Sequence, residues 1–187
     1  MSWRDLMCGE PRPVHVGRQL TLAGWAARRR DHGGLVFVDL RDRTGVTQLV
    51  INPERSPQAA ALAGEIRNEF VLQARGELVA RSPETVNDRM PTGAVELAVD
   101  ELTIVSRSTP LPFQLDEEGV DENLRLRYRW LDLRTARMQR NMRLAHTVIS
   151  SIRQTMDGLG FIDVWTPSKR RSSRAGPVTR DNLAASA

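Results

Sequence analysis

The sequence predicts a mainly β fold: a five-stranded OB-fold barrel over residues 1–107, followed by a helical segment. Three observations carry this. Apolar residues alternate at period two in several runs between Gln19 and Val105. An alanine-rich run opening on Pro57 interrupts them after the third strand. Three strands, a helix and two further strands is the order of the small barrel that commonly binds oligonucleotides on one face.

The elements follow in order. Leu20 and Leu22 alternate with Gln19, Thr21 and Ala23, and Val36, Val38 and Leu40 alternate with Leu35, Phe37, Asp39 and Arg41. His32-Gly33-Gly34 between the two runs reads as a hairpin turn, because glycine accepts the positive φ of tight turns. Thr44-Gly45 is a second turn, so strands one to three, the last over 46–51, form a meander. The run 57–67 reads as a short helix with Pro57 in its first turn. A fourth strand is expected over 70–79, with Gly76 marking a bulge or bend. The polar segment 82–93 is a loop, and 94–105 alternates again as the fifth strand.

Residues 108–121 read as a linker, with Pro110 and Pro112 and then the acidic Asp116, Glu117, Glu118 and Asp121. Helical spacing begins at Glu122 with Leu124, Tyr128 and Leu131. A longer helix places Met138, Met142, Ala145, Ile149, Ile152 and Met156 on one side and ends at Gly158 and Gly160. Residues 161–164 read as a strand entering Thr166-Pro167. The tail 168–187 holds Lys169, Arg170, Arg171, Arg174 and Arg180 against Asp181, and is expected to be poorly ordered.

Several function classes fall away. Cys8 is the sole cysteine, so neither a disulfide framework within the chain nor a cysteine zinc site is possible. His15, His32 and His146 lie far apart, and the acidic run suits a linker better than a cation site, so no metal is expected. No phosphate loop or nucleophile elbow occurs, and no catalytic residue is assigned. No run approaches the ~18 apolar residues of a membrane span, and the start Met-Ser-Trp-Arg-Asp is not a secretory signal; a cytoplasmic protein is expected. A net charge of +4 gives a modest bias toward a polyanionic partner.

The candidate binding residues sit on the barrel. With Val36, Val38 and Leu40 as core, Phe37 falls on the opposite face of its strand, near Arg28-Arg29-Arg30. An exposed aromatic beside a basic run suits single-stranded nucleic acid: the ring stacks on a base and the arginines hold phosphates. Spacing equally allows Phe37 to tuck under a loop. Gln48 is polar in an apolar strand and can read a base edge, although an ordinary surface glutamine fits as well. Arg81 and Glu96, taken alone, read as solvated charges.

The runs Thr21-Leu22-Ala23-Gly24-Trp25, Arg28-Arg29-Arg30-Asp31-His32-Gly33-Gly34 and Phe37-Val38-Asp39-Leu40-Arg41-Asp42 resemble the anticodon-binding domain of bacterial-type aspartyl-tRNA synthetases. Leu126-Arg127-Tyr128-Arg129-Trp130-Leu131-Asp132-Leu133-Arg134 resembles the start of their class II α+β catalytic domain, placed here at 122–167. Gly160-Phe161-Ile162-Asp163-Val164-Trp165-Thr166-Pro167 resembles motif 1. The resemblance covers roughly residues 5 to 167.

It implies that Phe37 stacks on the central anticodon base, that Gln48 reads that base's edge with Arg30 beside it, and that Arg81 and Glu96 contact the anticodon loop. Thr85 stands where some members carry asparagine. His32 hints that asparagine tRNA is accepted as well as aspartate tRNA. Phe161 and Pro167 fall in a motif that forms a homodimer interface. The implied partner is tRNA rather than DNA. ATP and Mg²⁺ belong to the full-length family and have no site in this chain.

After Pro167 the sequence departs from the family pattern, with Arg174 and Ala175 where proline and glutamate are expected. It ends before motifs 2 and 3. The expectation is a truncated synthetase that binds the anticodon but does not aminoacylate alone. A stand-alone tRNA-binding module and a fragment of an active aspartate–tRNA(Asp/Asn) ligase stay open beside it.

Overall fold

The computed structural model describes residues 3–115 and 117–164. The chain divides into two compact units between Pro112 and Phe113, inside the segment expected to be a linker.

In the first unit, β1 (Gln19–His32), β2 (Leu35–Arg41), β3 (Val46–Ile51), β4 (Val71–Ala80) and β5 (Val95–Ser106) form a closed barrel in the order β1-β2-β3-β5-β4. The β3–β5 contact is parallel, with Leu49 opposite Leu97 and Val50 opposite Ala98; the other pairings are antiparallel. This is the predicted OB barrel.

The alternating faces explain its stability. Leu20, Leu22, Val38, Leu40, Leu49, Ile51, Leu72, Leu78, Leu97 and Val99 meet inside and are almost fully buried. Burying each such side chain contributes about 1.5–3 kcal/mol. Gly33 and Gly34 turn the β1–β2 hairpin with φ of 60° and 84°, as the sequence predicts.

Gly76 lies where β5 presses close. The ladder shifts register between Arg75 and Gly76, and a Cβ on Gly76 would stand 2.0 Å from the Ala98 carbonyl oxygen.

Helix α1 (Pro57–Ala63) packs against β5 and β3 and buries Ala59 and Ala63. Ser56 caps it: its hydroxyl accepts from the Ala59 amide at 3.4 Å and donates to the Asp100 carbonyl at 2.6 Å. The helix is shorter than the expected 57–67. After Gly64 the chain tightens into turns in which the Glu65 amide donates to Leu62 and the Ile66 amide to Ala63.

A bulge in β1 governs which side chains face outward. Ala26 pairs with Leu40, but the next pair is Arg28 with Asp39, so Ala27 is an extra residue. One extra residue inverts the alternation. Before the bulge, Leu20, Leu22 and Ala26 point inward; after it, Arg28 and Arg30 lie exposed beside the outward residues of β2. Beside the bulge the Glu69 amide donates to the Ala26 carbonyl at 2.7 Å and the Ala26 amide to Phe70 at 2.9 Å. Glu69 adopts φ 67°, a strained conformation for a residue with a Cβ, and Arg41 holds both its carboxylate oxygens at 2.7 and 2.9 Å.

The second unit is helical: α2 (Glu122–Arg127), α3 (Arg129–Asp132) and α4 (Ala136–Gly158). Asp121 caps α2 by accepting from the Asn123 and Leu124 amides. Buried Asp132 pairs with Arg125 at 3.6 Å and with Arg129. No residue of α4 is buried.

Residues 161–164 are not the predicted strand. At the end of α4, Gly160 takes φ 84°, its amide donates to Asp157 and the Phe161 amide donates to Met156. This is the two-bond glycine cap of a helix, and it uses the Phe161 amide that a ladder would need. Among the described residues the second unit holds no strand to pair with. Pro167 and the expected tail 168–187 lie outside the described residues.

Candidate nucleic-acid interface

The outer faces of β1, β2, β3 and β5 and the loop after β4 enclose an open groove of about 940 Å³. Its lining includes Arg30, His32, Phe37, Gln48, Arg81, Thr85 and Glu96. Residues separated by up to 66 positions, all singled out from the sequence, therefore meet in one place.

Strand register puts them there. Phe37 stands between Arg30 on β1 and Val50 on β3; in the neighbouring row Asp39 stands between Arg28 and Gln48. The parallel β3–β5 pairing brings Glu96 beside Gln48. Phe37 is half-buried on the outer face, so the alternative of a ring lost under a loop is not what the fold adopts.

A chain of polar contacts crosses the groove. Arg30 Nη2 donates to Asp39 Oδ1 at 2.9 Å and to Gln48 Oε1 at 3.2 Å. Gln48 Nε2 donates to Glu96 Oε2 at 3.2 Å, and Arg81 Nε lies 3.4 Å from the same oxygen. Arg81 Nη1 donates to the Thr85 carbonyl at 3.3 Å.

Arg81 and Glu96 are not the solvated charges expected from sequence. Their side chains are 5% and 20% exposed. Both fold into the groove wall, where loop 82–93 returns the chain to β5. Burial pushes the Glu96 carboxyl above its ordinary value, partly offset by the Arg81 charge and the Gln48 hydrogen bond. Arg81 Nε and Nη2 are buried without a hydrogen-bond partner among the described residues. The Nε still lies within ion-pair distance of Glu96, so the Glu96 charge compensates the buried guanidinium there.

The arginine run does not act as a block. The bulge sends Arg28 and Arg30 to the groove, while Arg29 turns away and its Nε donates to the Ala63 carbonyl at 2.9 Å. Sequence reasoning assigned no role to Asp39, although the alternation that exposes Phe37 also exposes Asp39. Ser82, Asn87 and Met90 in the groove wall carried no signal, because the path of a loop is not periodic. Phe161 is in the second unit, 58% exposed.

An aromatic platform flanked by amide, carboxylate and guanidinium groups can stack a base and satisfy its edge. Among the described residues no group of three or more His, Cys, Asp or Glu could hold a metal ion. No described helix is long and apolar enough to cross a membrane.

Comparison with known proteins gives the same division of the chain. Residues 20–105 match the model of the OB-fold nucleic acid binding domain, and residues 121–179 match that of tRNA synthetases class II (D, K and N). The aspartate–tRNA(Asp/Asn) ligase of Magnetococcus marinus is 49% identical over 180 residues, 96% of this chain and 29% of that protein. The aspartate–tRNA ligase of Staphylococcus aureus is 43% identical over 185 residues, 98% of this chain and 31% of that protein. The asparaginyl-tRNA synthetase structure from Pyrococcus horikoshii superposes with a TM-score of 0.75 at 25% identity, over 87% of this chain and 37% of that one. The aspartyl-tRNA synthetase from Entamoeba histolytica shares the fold, with a TM-score of 0.74 at 21% identity, over 83% of this chain and 37% of that one. The chain thus spans about 30% of the length of the sequence relatives it matches.

Proposed function

Since the chain belongs to the aspartate-type class II tRNA synthetases, joining their OB-fold domain to the start of their catalytic domain, we propose that its groove binds the anticodon loop of tRNA for aspartate. The carrying observation is the position of Phe37 on the groove floor, beside Arg30 and one row from the Gln48 amide. In this reading Phe37 stacks the central anticodon base, Gln48 reads its edge with Arg30 beside it, and Glu96 and Arg81 meet neighbouring bases. Thr85 lines the same wall. His32, at the hairpin end, contributes to acceptance of asparagine tRNA alongside aspartate tRNA, the dual specificity carried in the name of the Magnetococcus relative.

The test is binding of the full chain to an aspartate tRNA transcript, to the same transcript with its central anticodon base changed, and the same pair with Phe37→Ala. Binding weakened by both changes supports the reading. Binding indifferent to both reduces the groove to nonspecific attraction and sinks it.

The ligase activity of the relatives is assigned to this chain only as part of a larger catalytic assembly. The arginines of motifs 2 and 3 that would hold ATP are not in this sequence. Alone, the chain is expected to form no aspartyl-adenylate; aspartate-dependent pyrophosphate exchange by purified protein would overturn that.

A homodimer through the second unit is favoured by α4. Met142, Ala145, Ile149, Ile152 and Met156 recur at alternating three- and four-residue spacing, and the four large side chains among them are each at least 40% exposed, which is the seam of a helix that associates.

A further inference from the structure

We propose that Asp39 is a positioning residue for base recognition: by holding Arg30 it completes, with Glu96, the pair of contacts that fixes the Gln48 side chain in one orientation and so sets which hydrogen-bonding pattern Gln48 offers. The inference rests on the anticodon-reading proposal and deepens it.

A glutamine amide has an oxygen that only accepts and a nitrogen that only donates, on nearly equivalent arms. Turned by half a rotation, it offers the opposite pattern to a base edge. A freely rotating Gln48 would therefore tolerate more than one base. In this groove both neighbours of the amide dictate the same choice. Arg30 can only donate, so it selects Oε1, which it meets at 3.2 Å. Glu96, when ionised, can only accept, so it selects Nε2, also at 3.2 Å. The remaining lone pair of Oε1 and the second proton of Nε2 are left for a ligand.

Glu96 is fixed in the wall with Arg81. Arg30 is not fixed in that way: its side chain is 44% exposed and long enough to swing to solvent or to a phosphate. The group that keeps it over Gln48 is Asp39, which accepts from the same Nη2 at 2.9 Å. Asp39 is also the direct cross-strand neighbour of Gln48, so the two carriers of this geometry are set by the β2–β3 register. Asp39 does not need to touch the base. Its side chain lies on the outer face, 20% exposed, and its removal leaves the core intact.

The experiment compares dissociation constants for the aspartate tRNA transcript and for the transcript with a changed central anticodon base, using Asp39→Ala, Asp39→Asn, Gln48→Ala and the double variant Asp39→Ala/Gln48→Ala. The readout is the ratio of the two constants, which a general loss of affinity or stability does not move. Asp39→Ala should lower the ratio by about two- to fivefold, the range that an exposed ion pair supports. Asp39→Asn, which still offers Arg30 an oxygen, should keep it. In the Gln48→Ala background the Asp39 change should have no further effect on the ratio. A wild-type ratio well above one with an unchanged Asp39→Ala ratio overturns the inference, as does an equal drop in the Gln48→Ala background. A wild-type protein that does not discriminate overturns the anticodon reading itself, and this inference with it.

Discussion

Arg81 Nε lies 3.4 Å from Glu96 Oε2 in the wall of the groove, and the carboxylate is held there against the preference of a buried acid to be neutral. The folded-state value of Glu96 is raised above 4.5, so folded protein binds this proton more tightly than unfolded chain. The group therefore favours folding when protonated, and that contribution is lost as pH rises from about 4.5 through the raised value. Asp42 and Asp100 have lowered values and act in the opposite sense. Comparing Glu96→Gln with wild type cancels them. The melting-temperature difference should move in favour of Glu96→Gln as pH is raised through this window, and a pH-independent difference would contradict the assignment.

Phe37→Ala should weaken binding of the cognate transcript by about 1–3 kcal/mol, the contribution of one stacked base, with little change in melting temperature because the ring lies on the outer face. Filter binding and thermal unfolding of the same preparation separate the two effects.

Arg28 is exposed in the groove lining, opposite Asp39. If it contacts a phosphate, Arg28→Ala should lessen the slope of log affinity against log salt by about one, without altering preference among anticodon bases. An unchanged slope would remove Arg28 from the phosphate contacts.

Gly76→Ala should be destabilising at the position where β4 shifts its register against β5. The new methyl group meets a backbone oxygen at 2.0 Å rather than a side chain that can move aside. A loss of about 1–3 kcal/mol or more is expected in chemical denaturation. Unaltered stability would mean that β5 yields more easily than its ladder suggests.

The stripe on α4 predicts self-association. Sedimentation should show dimers at micromolar concentration, and Ile149→Glu, which puts a charge at its centre, should give monomers. A monomeric wild type would discard the interface.

Much of this was legible in the residues. Period-two alternation gave the faces of β2 and β3, and with them the exposure of Phe37 and the position of Gln48. The resemblance contributed Arg81 and Glu96, which alternation alone cannot bring together. Their burial was not legible, because it depends on how loop 82–93 folds back, and a loop has no period. The strand expected over 161–164 failed for a local reason: Gly160 allows the helix to cap itself with the Phe161 amide. The bulge was hidden because Ala26 and Ala27 are both small enough to face either way.

That bulge separates two kinds of inheritance along one strand. Up to Ala26, alternate residues of β1 must satisfy the packed interior; beyond Ala27, Arg28, Arg30 and His32 answer to the groove, its polar network and whatever enters it. The hairpin end can thus diverge toward a different RNA sequence while the rest of the strand stays constant, so ligand preference and foldability can evolve as nearly independent traits. A deletion of Ala27 would fuse the two, forcing either the leucines out of the interior or the arginines into it.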